Sequence, residues 1–95
     1  MRIKKTDSNH KELMDMIRKI PNASVFSTHT LGKGFPDIVI GYKGLNYLVE
    51  IKDGNKPKSA QKLTADEIKF HDSWKGQIIT CNNFDCIFQM LNGLQ

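Results

Sequence analysis

The chain has 95 residues, of which 39% are hydrophobic and 25% charged, as expected for one folded domain and not for a disordered tail. No apolar run approaches the roughly 18 residues of a membrane span, and the polar N-terminus MRIKKTDSNHK does not resemble a secretory signal. We therefore do not expect a multidomain, membrane, secreted or collagen-like protein. The formal net charge of +4 weakly favours a polyanionic partner such as nucleic acid.

The N-terminal part of the chain predicts a helix followed by a strand. Asp7 or Ser8 can cap a helix that runs to about Lys19 and ends at Pro21. Its apolar residues recur with the i, i+3, i+4, i+7 spacing of one buried helix face: Leu13, Met16, Ile17 and Ile20. Residues 23–28 then predict a short strand.

A hairpin follows the loop 30–36, with strands at 38–42 and 45–51 on either side of Lys43-Gly44. Because lysine is unfavourable at the positive φ of a tight turn, a loop of two residues and one of four both remain open. Either loop pairs residues whose numbers add up to 87, so that Asp37 faces Glu50 across the two strands. An odd-length loop would break this register.

The C-terminal part predicts a loop, a helix, a strand and a last helix. Residues 53–62 form a polar, basic segment that we expect to be a mobile surface loop. Thr64 should open a helix that runs to about Lys75, with Ile68, Phe70, His71 and Trp74 on or near its inner face. Residues 77–80 should form a strand, and Asn83 should start the closing helix. The order α-β-β-β-α-β-α predicts an α/β fold, a mixed sheet flanked by helices in one domain spanning residues 1–95.

The two cysteines, Cys81 and Cys86, have neither a CxxC spacing nor the number needed for a disulfide scaffold. We therefore expect free thiols in an intracellular, cytoplasmic protein.

A carboxylate pair is the main chemical feature of the sequence. Asp37 and Glu50 should lie opposite each other, and Lys52 should share their face because side chains alternate along a strand. Opposed carboxylates repel, and a divalent cation such as Mg²⁺ or Mn²⁺, with the Ile51 carbonyl as a further ligand, would compensate that charge. Lys52 could then orient an attacking water and offset charge on a phosphate, as hydrolysis of a phosphodiester requires. The alternative is a structural ion pair of Lys52 with Glu50 or Asp37.

Three segments together resemble a known nuclease family. GKGFPDIVIG (32–41), LVEIK (48–52) and LTADEIKFHDSW (63–74) are similar, in this order, to the VRR-NUC (virus-type replication-repair nuclease) family of the PD-(D/E)xK superfamily, in its compact stand-alone form from phages and bacteria. The resemblance covers residues 7–91. It implies a restriction-endonuclease-like fold and a metal-dependent DNA endonuclease that leaves 5′-phosphate and 3′-hydroxyl ends.

The resemblance also implies roles for individual residues. Asp37 and Glu50 match the metal-binding carboxylates of the family, Lys52 matches its catalytic lysine, and Glu12 matches a metal-binding glutamate of the first helix. Glu67 stands where the family usually has a glutamine, and it could instead form a capping box with Thr64, or do both. Gln61 is a second, weaker match to that glutamine. A solvated glutamate on the helix surface remains the alternative for Glu12.

Contacts to the DNA backbone are expected from four lysines in the loops around this site, Lys33, Lys56, Lys58 and Lys62, all of which could instead be ordinary solvated charges. His29 could also touch phosphate, although a half-buried histidine at a strand end is the more frequent case.

Similarity to stand-alone family members implies a homodimer that resembles Holliday-junction resolvases and acts on branched or junction DNA. The alternatives are a flap, nicking or restriction-type nuclease, and a non-catalytic nucleic-acid-binding protein that retains the fold.

Overall fold

The computed structural model describes residues 10–93 of the chain, so the predicted caps Asp7 and Ser8 lie outside the described residues. A four-stranded sheet is flanked by three α helices, and a 3-10 helix spans Lys58–Gln61. The helices are α1 (His10–Arg18), α2 (Ala65–Ser73) and α3 (Phe84–Leu91); the strands are β1 (Ala23–Ser27), β2 (Ile38–Tyr42), β3 (Leu45–Ile51) and β4 (Gln77–Cys81). The predicted α/β class and the order α-β-β-β-α-β-α are confirmed.

The strands lie in the order β1-β2-β3-β4; β3 and β4 pair in parallel, whereas β1 with β2 and β2 with β3 pair antiparallel. A parallel neighbour requires a crossover, which α2 and its flanking loops provide. Tyr42 faces Leu45 and Ile38 faces Val49, which confirms the predicted register. Lys43 and Gly44 both have positive φ, 52° and 81°, and form a two-residue turn, so the four-residue loop is excluded.

The core lies on one face of the sheet, against α1 and α3. Ile38, Ile40 and Val49 are fully buried there, together with Ile17 of α1 and Ile87 of α3. In α1 the inward stripe differs from the predicted one: Met14 is buried, whereas Met16 is exposed. The helix is rotated so that its residues 13, 14 and 17 face the sheet.

The opposite face carries α2, which is much less buried than the sequence predicted. Phe35 of the loop before β2 packs edge-on against Phe70, with ring centroids 5.1 Å apart, and Phe70 stacks on Trp74 at 5.3 Å. Ile68 and Trp74, predicted on or near the inner face, are instead 47% and 41% exposed. No residue of α2 is buried, and the helix is held on this face by the Phe35–Phe70 contact and by contacts at its first turn.

Gly34 allows the loop before β2 to approach the start of α2. Its φ is 82°, and a Cβ added there would overlap the Asp66 carbonyl oxygen and lie 3.0 Å from the Glu67 amide nitrogen. Only glycine fits both the left-handed backbone and this close contact. The glycine loop therefore fixes where the first turn of α2 lies above the sheet.

The loop after β3 is partly ordered by its first residue. Asp53 is only 6% exposed, and its Oδ1 accepts a hydrogen bond of 2.9 Å from the Asn55 amide. Together with the 3-10 helix at 58–61, this corrects the prediction that residues 53–62 form a surface loop throughout.

A disulfide joins Cys81, at the end of β4, to Cys86 in the first turn of α3. The prediction of free thiols is therefore wrong. The turn into α3, with Asn83 as its N-cap, brings the two Cα atoms to 5.6 Å, within the range that a disulfide spans. No helix among residues 10–93 is long and apolar enough to cross a membrane.

Candidate active site

The carboxylate of Asp37 is fixed at the end of the sheet where β2 begins and β3 ends. Its backbone joins both neighbouring strands, because its N–H donates to the Val49 carbonyl at 3.1 Å and its carbonyl accepts from Thr28 at 2.8 Å. Its side-chain Oδ2 accepts a hydrogen bond of 2.9 Å from the Ile51 N–H. The carboxylate is thereby held across the strand pair, beside Glu50.

Glu50 is the most unusual polar group of the sheet. Its side chain is 5% exposed, and its Oε2 lies 3.7 Å from the Lys52 Nζ. Its Oε1 is buried and has no hydrogen-bond partner among the described residues. Burial first, and then the Asp37 carboxylate, raise the pKa of Glu50 from 4.5 to about 9, although Lys52 acts in the opposite direction. Without a further cation, this carboxylate is therefore disfavoured in its charged form.

Lys52 is held between two glutamates from different elements. Its Nζ donates to the Glu67 Oε1 at 2.9 Å. The same oxygen accepts from the Thr64 amide at 2.8 Å, and the Glu67 amide donates to the Thr64 hydroxyl at 3.2 Å, so the predicted capping box is present. Burial would raise the pKa of Glu67, but the hydrogen bonds from Thr64 and Lys52 outweigh it and lower that pKa. Glu67 both starts α2 and orients the lysine.

Asp37 and Glu50 offer what a small divalent cation needs. Mg²⁺ binds through one or two carboxylates and keeps several waters, so a larger set of protein ligands is not required. The unpartnered Glu50 Oε1 and the neighbouring Asp37 supply hard oxygen donors on one face of the sheet. Among residues 10–93, no group of three or more His, Cys, Asp or Glu side chains is placed to hold a metal ion. The pair thus fits Mg²⁺ or Mn²⁺ with water and phosphate as the remaining ligands.

Glu12, the third predicted metal ligand, lies elsewhere at the same end of the sheet. It lines a cavity of about 400 Å³ together with Asp53, Asn55 and Asn82. Neither Asp37 nor Glu50 lines this cavity, because both project from the other face of the sheet. The structure therefore groups Asp37, Glu50, Lys52 and Glu67 and does not bring Glu12 to them. A metal-binding role for Glu12 and for the Ile51 carbonyl stays a prediction.

The predicted phosphate contacts surround this end of the sheet with different degrees of burial. The side chains of Lys33, Lys56, Lys58 and Lys62 are exposed. His29 is half-buried: its Nδ1 lies 2.8 Å from the Ser27 hydroxyl, and its ring meets that of His10 edge-on at 5.2 Å. This arrangement is that of a histidine packed at a strand end. The Gln61 Nε2 donates to the Lys56 carbonyl at 2.6 Å, and the Gln61 Oε1 accepts from the Asn82 Nδ2 at 3.3 Å.

The polar lining of the cavity is the part of this region that sequence reasoning missed. Asp53 and Asn55 follow β3, and Asn82 and Asn83 follow the neighbouring strand β4. Since β3 and β4 are parallel, residues that follow their carboxyl ends must meet at one edge of the sheet. These polar residues are visible in the sequence, but their proximity could be predicted only with the knowledge that β3 and β4 pair.

Comparisons with protein-family models, curated proteins and solved structures found no match for this chain.

Proposed function

We propose that the protein is an endodeoxyribonuclease that uses Mg²⁺ or Mn²⁺ to hydrolyse phosphodiester bonds. One observation carries the proposal: a buried carboxylate oxygen of Glu50, without a hydrogen-bond partner among residues 10–93, lies beside a second carboxylate and a lysine whose side chain is 13% exposed. In its charged form such an arrangement opposes folding unless a cation completes it, so a binding role explains it better than a structural one. The resemblance to the VRR-NUC family leads to the same activity.

In the proposed site, Asp37 and Glu50 would hold the cation. When bound, that cation would supply positive charge to the scissile phosphate and lower the pKa of a coordinated water. Lys52 contributes a second positive charge on the same face, with its Nζ 3.7 Å from the Glu50 Oε2. It can orient the attacking water or offset the charge that develops on the phosphate oxygens. Glu67 is a positioning residue, since it acts through Lys52 and also fixes α2.

Glu50 and Lys52 share one face, so the orientation of the lysine decides whether it assists the reaction. Its short contact is to Glu67, at 2.9 Å, whereas Glu50 is at 3.7 Å. The stronger of the two ion pairs thus holds Nζ at the edge of the carboxylate pair. A phosphate that enters there would meet an ammonium group already in place, which is what preorganised catalysis requires.

The substrate in this proposal is DNA, bound through its phosphates by the exposed lysines of the loops. A structure-specific homodimer, similar to Holliday-junction resolvases, in a bacterial or phage-encoded cytoplasmic setting is the form that the resemblance favours. Two-fold symmetry would present two sites to opposed strands of a branched substrate. These finer features rest on analogy, whereas the hydrolytic role rests on the cluster itself.

The decisive experiment is cleavage of fluorescent four-way junction, flap, duplex and single-stranded DNA in Mg²⁺, Mn²⁺ or EDTA. Wild type should cut in either metal and not in EDTA, and Lys52→Ala should cut at least about a hundredfold more slowly. Lys69→Ala is the matched control, because Lys69 is an exposed lysine of α2 outside the site. A protein that binds these DNAs but cuts none of them would instead be the non-catalytic binding protein. The preferred substrate separates junction from flap and nicking activity.

A further inference from the structure

The cavity behind the carboxylate pair has a different chemistry from the proposed cutting site. Its volume of about 400 Å³ lies in the range of pockets that bind small organic groups. Met16 and Phe84 give it an apolar surface, and three asparagine side chains surround that surface: Asn55, Asn82 and Asn83. The cavity is next to Lys52 along the chain, because the following residue, Asp53, is part of its lining.

Hydrogen-bonding groups remain available on its rim. The Asn82 Nδ2 donates to the Gln61 Oε1 at 3.3 Å, and the Asn83 Oδ1 accepts from the Cys86 amide at 2.8 Å. Within the described residues, the Asn82 Oδ1 and the Asn83 Nδ2 are left for a ligand, one acceptor and one donor. Glu12, exposed at the edge, adds a carboxylate acceptor.

The charge of the lining decides which part of a nucleic acid fits. Among residues 10–93, the lining of the cavity contains two carboxylates, those of Glu12 and Asp53, and no Lys, Arg or His. A phosphate would be repelled there. A nucleobase is uncharged, presents amino donors and ring acceptors at its edge, and has flat faces that stack on apolar and aromatic side chains.

The wall that carries the asparagines is held in place before any ligand arrives. Asn82, Asn83 and Phe84 lie inside the loop closed by the Cys81–Cys86 disulfide. Gly54 packs closely against this wall, since a Cβ added at that position would lie 3.1 Å from the Asn82 carbonyl oxygen. A preformed wall lowers the ordering cost of binding.

We propose that this cavity receives one unpaired nucleobase of the DNA strand whose phosphate reaches Lys52. The inference rests on the proposed function and names its substrate class: DNA with an unpaired base next to the cut, as at a branch point or a single-stranded arm. The lysines supply sequence-independent affinity, and the cavity supplies selection for an unstacked base.

The test compares protein and DNA changes in one thermodynamic cycle, by binding in EDTA so that no strand is cut. The DNA is a duplex with a single-stranded arm, in which an abasic residue replaces each arm nucleotide in turn. At one position, loss of the base should weaken wild-type binding about tenfold. Asn82→Ala should bind the intact arm about as weakly and should lose nothing more when that base is removed. Asn46→Ala, an exposed asparagine of the β2–β3 hairpin, is the matched control.

Each outcome bears on the inference directly. It is overturned if no arm position matters, if the Asn82→Ala and abasic losses multiply, or if the protein binds no DNA. Glu12→Gln provides a second variant in case Asn82→Ala fails to fold, as checked by circular dichroism. Cleavage in Mg²⁺ is measured on the same DNA. Cleavage without base dependence would refute the cavity assignment alone, whereas base dependence without cleavage would refute the proposed nuclease and leave the cavity assignment standing.

Discussion

Replacing Glu50 with glutamine removes the charge of the buried carboxylate and keeps its shape. In the metal-free protein, burial and the neighbouring Asp37 raise the pKa of Glu50 from 4.5 to about 9. Between pH 4.5 and about 9, Glu50 therefore keeps its proton in the folded state, whereas it has released that proton in the unfolded state. A raised pKa of this kind contributes stability that is fully present below pH 4.5 and is lost as the pH rises toward about 9.

The size of the effect follows from linkage. Each pH unit above the unfolded-state pKa costs about 1.4 kcal/mol until the folded-state pKa is reached. Near neutral pH the metal-free wild type should thus be less stable than Glu50→Gln by on the order of 3 kcal/mol. That is a large share of the roughly 5–15 kcal/mol by which domains are stable. At acid pH, where Glu50 is protonated in both states, the two proteins should unfold alike.

Urea unfolding in EDTA across this pH range measures the difference, with circular dichroism as the signal. Added Mg²⁺ should stabilise wild type near neutral pH, because a cation that binds only the folded state shifts the equilibrium, and it should stabilise Glu50→Gln much less. Asp72→Asn is the matched control, since it also replaces a carboxylate by its amide, at an exposed position of α2 outside the site. Parallel stability curves for wild type and Glu50→Gln at all pH values, or equal stabilisation by Mg²⁺, would refute the reasoning.

Three further predictions concern parts that support the site. Changing both Cys81 and Cys86 to serine should cost about 2 kcal/mol of stability for so short a loop. In urea unfolding, reductant should destabilise wild type by the same amount and leave the double variant unchanged. If reductant had no effect on wild type, the disulfide would be contradicted. Gly34→Ala should lower the free energy of unfolding by about 1–3 kcal/mol more than Gly32→Ala does. Both glycines have a positive φ, but a Cβ added at Gly32 would meet open space. Equal losses of stability would show that the contact with α2 is unimportant. Glu67→Gln should keep the helix cap and slow cleavage about tenfold or more. It should also move the alkaline limb of the pH–rate profile to lower pH, because Lys52 loses an anionic neighbour. An unshifted profile would mean that Glu67 only caps α2.

The central hairpin was predictable because local chemistry determines it. Two-residue turns tolerate few alternatives, and once Lys43-Gly44 is the turn, the pairs along β2 and β3 follow and bring Asp37, directly before β2, next to Glu50. The capping box at Thr64 and Glu67 was predictable for the same reason, since its partners are three residues apart. The chemical core of the candidate site depends on these two local features.

What the sequence did not reveal depends on how distant elements meet. The rotation of α1, which buries Met14 instead of Met16, is decided by packing against the sheet. The same rotation and the face on which α1 packs decide that Glu12 lies beside Asp53 and not beside Glu50. The disulfide depends on the turn between β4 and α3, because a separation of five residues permits a bond without requiring one. The spacing of hydrophobic residues along the sequence does not by itself determine any of these features.

The alternation of β3 has a geometric consequence for any bound strand. Glu50 and Lys52 project to one side of this strand and Asp53 follows on the other, so the backbone of a single β-strand separates the proposed cutting site from the cavity. A DNA strand that used both would have to cross the rim of the sheet, with its sugar-phosphate chain on one side and one base turned over to the other. Paired, stacked DNA cannot make that bend without losing a base pair. The thickness of one β-strand would then determine the distance between the unpaired base and the cleaved phosphodiester bond.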